Sequence, residues 1–176
     1  MSKEAFSRVA ERYDRWYQEH EEIFNRELEC LRKGVKGKRI LEIGSGTGAF
    51  AKELGAVALD PALGALKIGK AKGLESVLGV AEKLPFRSKA FDCSYFVTSL
   101  CFVDSVEDAI KEAERVSKEV VACIIPKESD VAKLYEEKGR KGHELYKYAH
   151  FLSKKRLLEM GFNIVCDLEW FTCLKK

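Results

Sequence analysis

Lys38-Arg-Ile-Leu-Glu-Ile-Gly-Ser-Gly-Thr-Gly-Ala-Phe-Ala-Lys52 is the stretch on which the fold turns. Arg39 to Ile43 reads as a short apolar strand that enters the loop Gly44-Ser45-Gly46-Thr47-Gly48 and then a short helix. Glycines at alternate positions permit positive φ and close approach of the backbone to a ligand. The helix that follows points free N–H groups the same way. The stretch is a nucleotide-binding turn.

Two nucleotide chemistries fit such a turn. Gly44, Gly46 and Ala49 satisfy the dinucleotide fingerprint G-x-G-x-x-G/A, which admits a nicotinamide-binding domain. Glu42 argues against it. A carboxylate inside the strand, where a structural strand would carry another aliphatic, accepts from a cationic amine and repels a pyrophosphate. Ile40-Leu41-Glu42-Ile43-Gly44-Ser45-Gly46-Thr47-Gly48 resembles motif I of the class I S-adenosylmethionine-dependent methyltransferases. The resemblance implies S-adenosylmethionine as cofactor, S-adenosylhomocysteine as product, and contacts from Glu42, Gly44, Ser45, Gly46 and Gly48. A module that binds the cofactor without turnover, as a partner subunit, is the alternative from another class.

Downstream, Ala56-Val57-Ala58-Leu59 forms a second strand closing on Asp60-Pro61. Asp60 follows Glu42 at close to the spacing at which an acid accepts the ribose hydroxyls. Asp-Pro is also a good helix entry, with Asp60 as N-cap and Pro61 at the first helical position. The helix expected from Ala62 to Lys72 carries Gly64 and Gly69, each unfavourable by about 1 kcal/mol against alanine, for which close packing on the sheet is the one available reason. Ser76 to Val80 is a third strand. Ala81-Glu82-Lys-Leu84-Pro85-Phe86 after it resembles the family's adenine-contacting segment, with Val80 in place of its aspartate. Ala81 and Glu82 are then the adenine contacts, and Val80 an apolar wall.

Phe91 to Val97 is a fourth strand, and Thr98 to Arg115 resembles the family's post-strand-four region, which places Thr98 toward the cofactor's methionine portion. Val120 to Ile125 is a fifth, stopped by Pro126. The family's Lys-Pro-Gly-Gly turn before it is reduced to Ser117-Lys118-Glu119. Phe151-Leu-Ser153 caps a last helix ending at Gly161, and Phe162 to Leu174 is a terminal strand. A seventh strand is expected to be absent or very short within a tight hairpin.

Before the glycine turn, Phe6, Val9, Ala10, Tyr13, Trp16, Tyr17, Phe24, Leu28 and Leu31 recur with helical period, with a break near His20. The stripe packs on the sheet. Ala10-Glu-Arg-Tyr13-Asp-Arg-Trp16-Tyr17 also resembles the N-terminal segment of small-molecule methyltransferases, where it forms a lid lined here by Tyr13 and Trp16. The lysine-rich segment from Lys127 to His150, holding Tyr135, Tyr146 and Tyr148, reads as a solvated surface helix and loop, with closure over substrate as the functional alternative.

Strands alternating with helices predict an α/β, Rossmann-like, doubly wound and mostly parallel sheet of order 3-2-1-4-5 plus a terminal strand, with ligands bound where the order reverses. With 176 residues, one methyltransferase domain over 1–176 is expected: a helical lid over 1–33, a cofactor core over 38–125, and a substrate-side segment over 127–176. The acceptor is expected to be a small molecule, and the resemblance is nearest the ubiquinone-biosynthesis-type branch. A net charge of +3 is too small for nucleic-acid tracking. The absence of any long apolar run or signal-peptide core points to a cytoplasmic chain without membrane spans. The six cysteines show no C-x-x-C spacing, so no metal is expected, and they read as core residues. One glutamine, two asparagines and abundant Lys and Glu match a thermophile balance, which keeps an internal disulfide open. His20, His143, His150 and the tyrosines are candidate bases, and none is assigned a catalytic role.

Overall fold

A computed structural model describes residues 2–176; Met1, the first residue of the expected domain and lid, lies outside the described residues. Helices α1 (Ser2–Glu19) and α2 (Glu21–Gly34) meet at His20, where the periodicity breaks. The alternating core then runs β1 (Ile40–Ile43), α3 (Ala49–Leu54), β2 (Val57–Asp60), α4 (Leu63–Ala71), β3 (Ser76–Leu78), β4 (Phe91–Val97), α5 (Val106–Val116) and β5 (Ser117–Ile124). After it come α6 (Asp130–Arg140), α7 (Lys154–Glu159), β6 (Asn163–Asp167) and β7 (Thr172–Lys175). Serine side chains start three of the helices. Ser105, Ser129 and Ser153 accept from the backbone N–H of Asp108, Ala132 and Arg156, satisfying donors that a helix start leaves free.

The seven strands form one sheet of order β3-β2-β1-β4-β5-β7-β6. The first five are parallel, and the crossover reverses direction between β1 and β4. Residue alternation divides the core. Leu41 and Ile43 face the layer that holds α5, with Phe96, Val120 and Ala122. Ile40 faces the α2 and α3 layer, with Tyr95, Val121 and Cys123. Both faces are covered, so the strands read as continuous apolar runs.

The C-terminal edge departs from a single terminal strand. Residues 163–175 fold into a hairpin, and its second strand, β7, returns to pair antiparallel with β5 while β6 takes the edge. The seventh strand therefore exists, at four residues and within a hairpin, the second of the two expected outcomes. Four of the six cysteines are not simple core residues. Cys30 on α2 is bonded to Cys166 on β6, and Cys123 on β5 to Cys173 opposite it on β7. Cys93 and Cys101 stay free and buried.

The glycines of α4 answer to a neighbour other than the sheet. A Cβ on Gly64 would come within 2.8 Å of the Ser7 carbonyl oxygen, so this residue lets α1 lie directly on α4. The Gly64 N–H donates to Ser7 Oγ at 3.1 Å across that contact. A Cβ on Gly69 would press on the Thr47 carbonyl at 3.3 Å.

Candidate functional site

At the carboxyl ends of β1, β2 and β4 lies a cavity of about 220 Å³, roofed by α1. Its floor is Glu42, the penultimate residue of β1, only 2% exposed and on the cavity wall. Tyr95, its register neighbour on β4, donates its hydroxyl to Glu42 Oε2 at 3.1 Å. Burial pushes the Glu42 pKa up to about 8, and nearby Asp60 adds to the rise against the Tyr95 hydrogen bond.

The glycine turn wraps this floor. Gly44 and Gly46 have φ of 77° and 55°, which side-chain-bearing residues rarely adopt. A Cβ on Gly44 would meet the Ser99 side chain at 2.5 Å, whereas one on Gly46 would enter open space. Gly46 thus presents bare backbone to the cavity. Ser45 Oγ, also on the wall, is buried and has no hydrogen-bond partner among the described residues. An orphaned buried hydroxyl at this position is a donor and acceptor suited to a polar ligand.

Asp60 closes the second strand, 8% exposed and on the wall. Its Oδ2 accepts from Gly46 N–H at 2.8 Å and its Oδ1 from Ala62 N–H at 2.7 Å, so it braces the glycine turn while keeping lone pairs free. Burial raises its pKa. The helix begins one residue later than expected, with Ala62 at its N-cap, so Asp60 and Pro61 are not the cap and first position. Pro61, Val80, Ala81 and Glu82 complete that side of the wall. Glu82 has a further duty, since its Oε1 accepts from the backbone N–H of Asp104 and Ser105 ahead of α5.

Thr98 closes the far end at φ 51°, a left-handed conformation that is a true outlier for a β-branched residue. Its N–H donates to the Cys123 carbonyl at 2.8 Å, which holds the strained turn in place. Tyr13 reaches the cavity from α1. Two residues named from the sequence do not reach it. Gly48 is the N-cap of α3 and packs against Leu74, and Trp16 is 37% exposed, stacks on His20 and lines a neighbouring cavity.

That second cavity, of about 250 Å³, shares Phe6, Tyr13, Tyr17, Thr98 and Phe102 with the first. Its remaining wall comes from α1, the ends of β4 and β5, α2, α6 and the segment after α6, including Glu27, Tyr135, His143 and Tyr146. The lysine-rich segment is therefore not wholly a solvated surface. Glu27 and Tyr17 escaped the sequence reading as site residues. The signal for Glu27 is an acid set among Phe24, Leu28 and Leu31 on the apolar stripe of α2, where it is 8% exposed. Among the histidines, His143 faces the second cavity, its Nδ1 accepting from the N–H groups of Leu145 and Tyr146.

A half-buried latch ties the roof to the glycine turn. Thr47 Oγ1 donates to Asp14 Oδ1 at 2.7 Å, and Lys72 Nζ pairs with the same oxygen and with the Thr47 carbonyl. No cluster able to hold a metal and no helix long and apolar enough to cross a membrane occurs among the described residues.

Residues 41–125 match the family model described as a methyltransferase domain. An uncharacterised protein of Methanocaldococcus jannaschii is 38% identical over 88% of this chain and 77% of its own length. A demethylmenaquinone methyltransferase of Renibacterium salmoninarum is 35% identical over 48% of this chain and 38% of its own. Among solved structures, a Thermotoga maritima S-adenosylmethionine-dependent methyltransferase, described as a possible histamine N-methyltransferase, superposes with a TM-score of 0.89 at 28% identity, over 99% of this chain and 98% of that one.

Proposed function

This chain belongs to the class I S-adenosylmethionine-dependent methyltransferases, and on that footing we propose that its first cavity binds S-adenosylmethionine and serves methyl transfer to a small-molecule acceptor. The observation that carries the proposal is the floor. Two buried carboxylates, Glu42 and Asp60, face one cavity beside a bare glycine turn and an orphaned serine hydroxyl. Such a floor suits a cationic ligand and opposes a pyrophosphate. The one cationic side chain on the described wall, Lys3, belongs to an exposed residue.

In this reading Glu42 accepts from the ligand's ammonium group, and the backbone at Gly44, Ser45 and Gly46 lies along its amino-acid portion with Thr98 opposite. Asp60 takes the ribose hydroxyls. Pro61, Ala81 and Glu82 border the base, with Val80 as an apolar wall. When bound, the cofactor supplies a methyl group already activated by a positively charged sulfur. The protein's part is then alignment and exclusion of water. Residues 1–33 act as the lid, with the rings of Phe6, Tyr13 and Tyr17 placed where aromatic faces attract a cation. Residues 38–125 act as the cofactor core and 127–176 as the acceptor-side segment. The likeness to the demethylmenaquinone enzyme spans under half the chain; it supports a small-molecule branch and does not carry its acceptor.

Calorimetric titration with S-adenosylmethionine, S-adenosylhomocysteine and NAD tests the reading. Saturable binding of the first two without NAD is expected. Preference for NAD overturns it.

A further inference from the structure

We propose that the second cavity is the acceptor site and that it takes a small amine, with Glu27 as the counter-ion of its ammonium group. The inference deepens the methyl-transfer reading and rests on it for the identity of the neighbouring cavity. Three observations carry it: continuity, charge and wall chemistry.

Continuity comes from Tyr13, Tyr17 and Thr98, which line both cavities, so the two are separated by no more than those side chains. Thr98, the strained residue, stands at that junction.

Charge singles out Glu27. The residue is only 8% exposed and stands on the cavity wall. The Trp170 indole N–H points at its carboxylate without closing a hydrogen bond of ordinary geometry, and the Tyr13 and Tyr17 phenols lie near enough to feel its charge. Every other ionisable group on this wall is spoken for or neutral. Arg12 turns to Glu144, with Nη2 and Oε2 3.5 Å apart. His143 is driven toward its neutral form by burial, with Lys138 and Arg12 adding to the effect. Burial holds the phenols of Tyr13, Tyr17 and Tyr146 and the Cys101 thiol in their neutral forms. A single acid without an ion-pair partner remains. A site for a neutral apolar acceptor would gain nothing from it, because burying a carboxylate without a partner is costly.

The wall supplies the rest of an ammonium site. Tyr135 and Tyr146 stack with ring centroids 4.2 Å apart, and Tyr13 and Tyr17 meet edge to face at 5.4 Å. Tyr146 also stacks on His143 at 4.3 Å and Lys138 lies over Tyr135, so the rings left for an organic cation are those of Tyr13 and Tyr17, which feel the Glu27 charge. Glu27 also has the chemistry to ready the acceptor. The ammonium nitrogen gives one proton to a Glu27 carboxylate oxygen, leaving a neutral amine with its lone pair and a neutral carboxylic acid. Burial pushes the Glu27 pKa up to about 7, which narrows the gap to an amine's pKa across which this proton moves.

Binding calorimetry without cofactor, using phenethylamine, cyclohexylamine and n-hexylamine beside the matched alcohols and hydroquinone, tests the proposal. At least one amine is expected to bind tenfold or more tighter than its alcohol. Glu27→Gln, which keeps the shape and removes the buried charge, should erase that preference while leaving S-adenosylmethionine affinity within about twofold. Tyr135→Ala should weaken amine and alcohol alike. Equal affinity for amines and alcohols, a preference for hydroquinone, or an amine preference that survives Glu27→Gln overturns the amine site. Loss of S-adenosylmethionine binding by the wild type overturns the reading beneath it instead, so the two failures are told apart in one set of titrations.

Discussion

The two cavities lie side by side beneath the same helix, yet they are built in opposite ways. The first is made of strand ends and main chain: a carboxylate closing β1, another closing β2, and a glycine turn between them. The second has strand ends on one side only, at Thr98, Cys101 and Ile125, and is otherwise made of side chains from α1, α2, α6 and the loop after α6, segments far apart in the chain. A cavity of the first kind is as rigid as the sheet that carries it, and one of the second kind depends on how helices are held over the sheet. The difference predicts that substitutions will act on the two cavities separately.

The largest effect is expected at the first floor. Glu42→Gln should weaken S-adenosylmethionine binding by about 2–5 kcal/mol, the range for truncating one partner of a buried charge pair, while amine binding at the second cavity is unchanged in calorimetry. Loss below tenfold, or an equal loss at both cavities, would break the separation. The same residue sets a pH signature. With a pKa of about 8 in the empty cavity, Glu42 holds a proton at neutral pH, and a cation beside it favours the ionised form. Cofactor binding near pH 7 should therefore release up to about one proton, seen as a dependence of the heat on buffer ionisation enthalpy, and Glu42→Gln should abolish it. Because its folded pKa lies above the unfolded value, Glu42 favours folding below about pH 4.5, and that contribution is lost as pH rises through about 8.

Next in size is the support of the second cavity. Cys30 stands one turn beyond Glu27 on α2 and is bonded to Cys166 on the sheet edge. Replacing both with serine should lower unfolding stability in urea by about 2–4 kcal/mol and weaken amine binding more than cofactor binding. A smaller loss is expected from Asp60→Asn, about 1–3 kcal/mol in S-adenosylmethionine affinity for loss of charged hydrogen bonds; unchanged affinity would leave Asp60 only its role of bracing the Gly46 and Ala62 N–H groups. Smallest is the latch. Lys72→Ala should cost about 1 kcal/mol or less in stability, as expected for a half-buried pair, with faster proteolysis within α1 as its more sensitive readout.

How much of this could be read beforehand follows the same division. The parallel order, the crossover between β1 and β4, and the convergence of Glu42, Gly44, Asp60 and Thr98 were legible because each lies in a local pattern of strand, turn and helix whose handedness leaves few alternatives. Gly64 was legible only as an anomaly, since its reason is the Ser7 carbonyl on another helix. Gly48 kept the turn's spacing but points its space at Leu74. Trp16 belongs to the right helix and the wrong cavity, because one step around a helix changes the face presented.

By itself the chain's order of residues determined the glycine-rich turn, the acid beneath it and the sheet that aims both, because backbone periodicity and glycine conformation act over a few neighbours. Only the tertiary structure decided that β7 would fold back between β5 and β6, that Cys30 would meet Cys166, and that Glu27 would share a wall with Tyr135 and Tyr146. Those contacts join residues from 50 positions apart, as at Cys123 and Cys173, to 136 apart, as at Cys30 and Cys166, a range over which no local pattern exists.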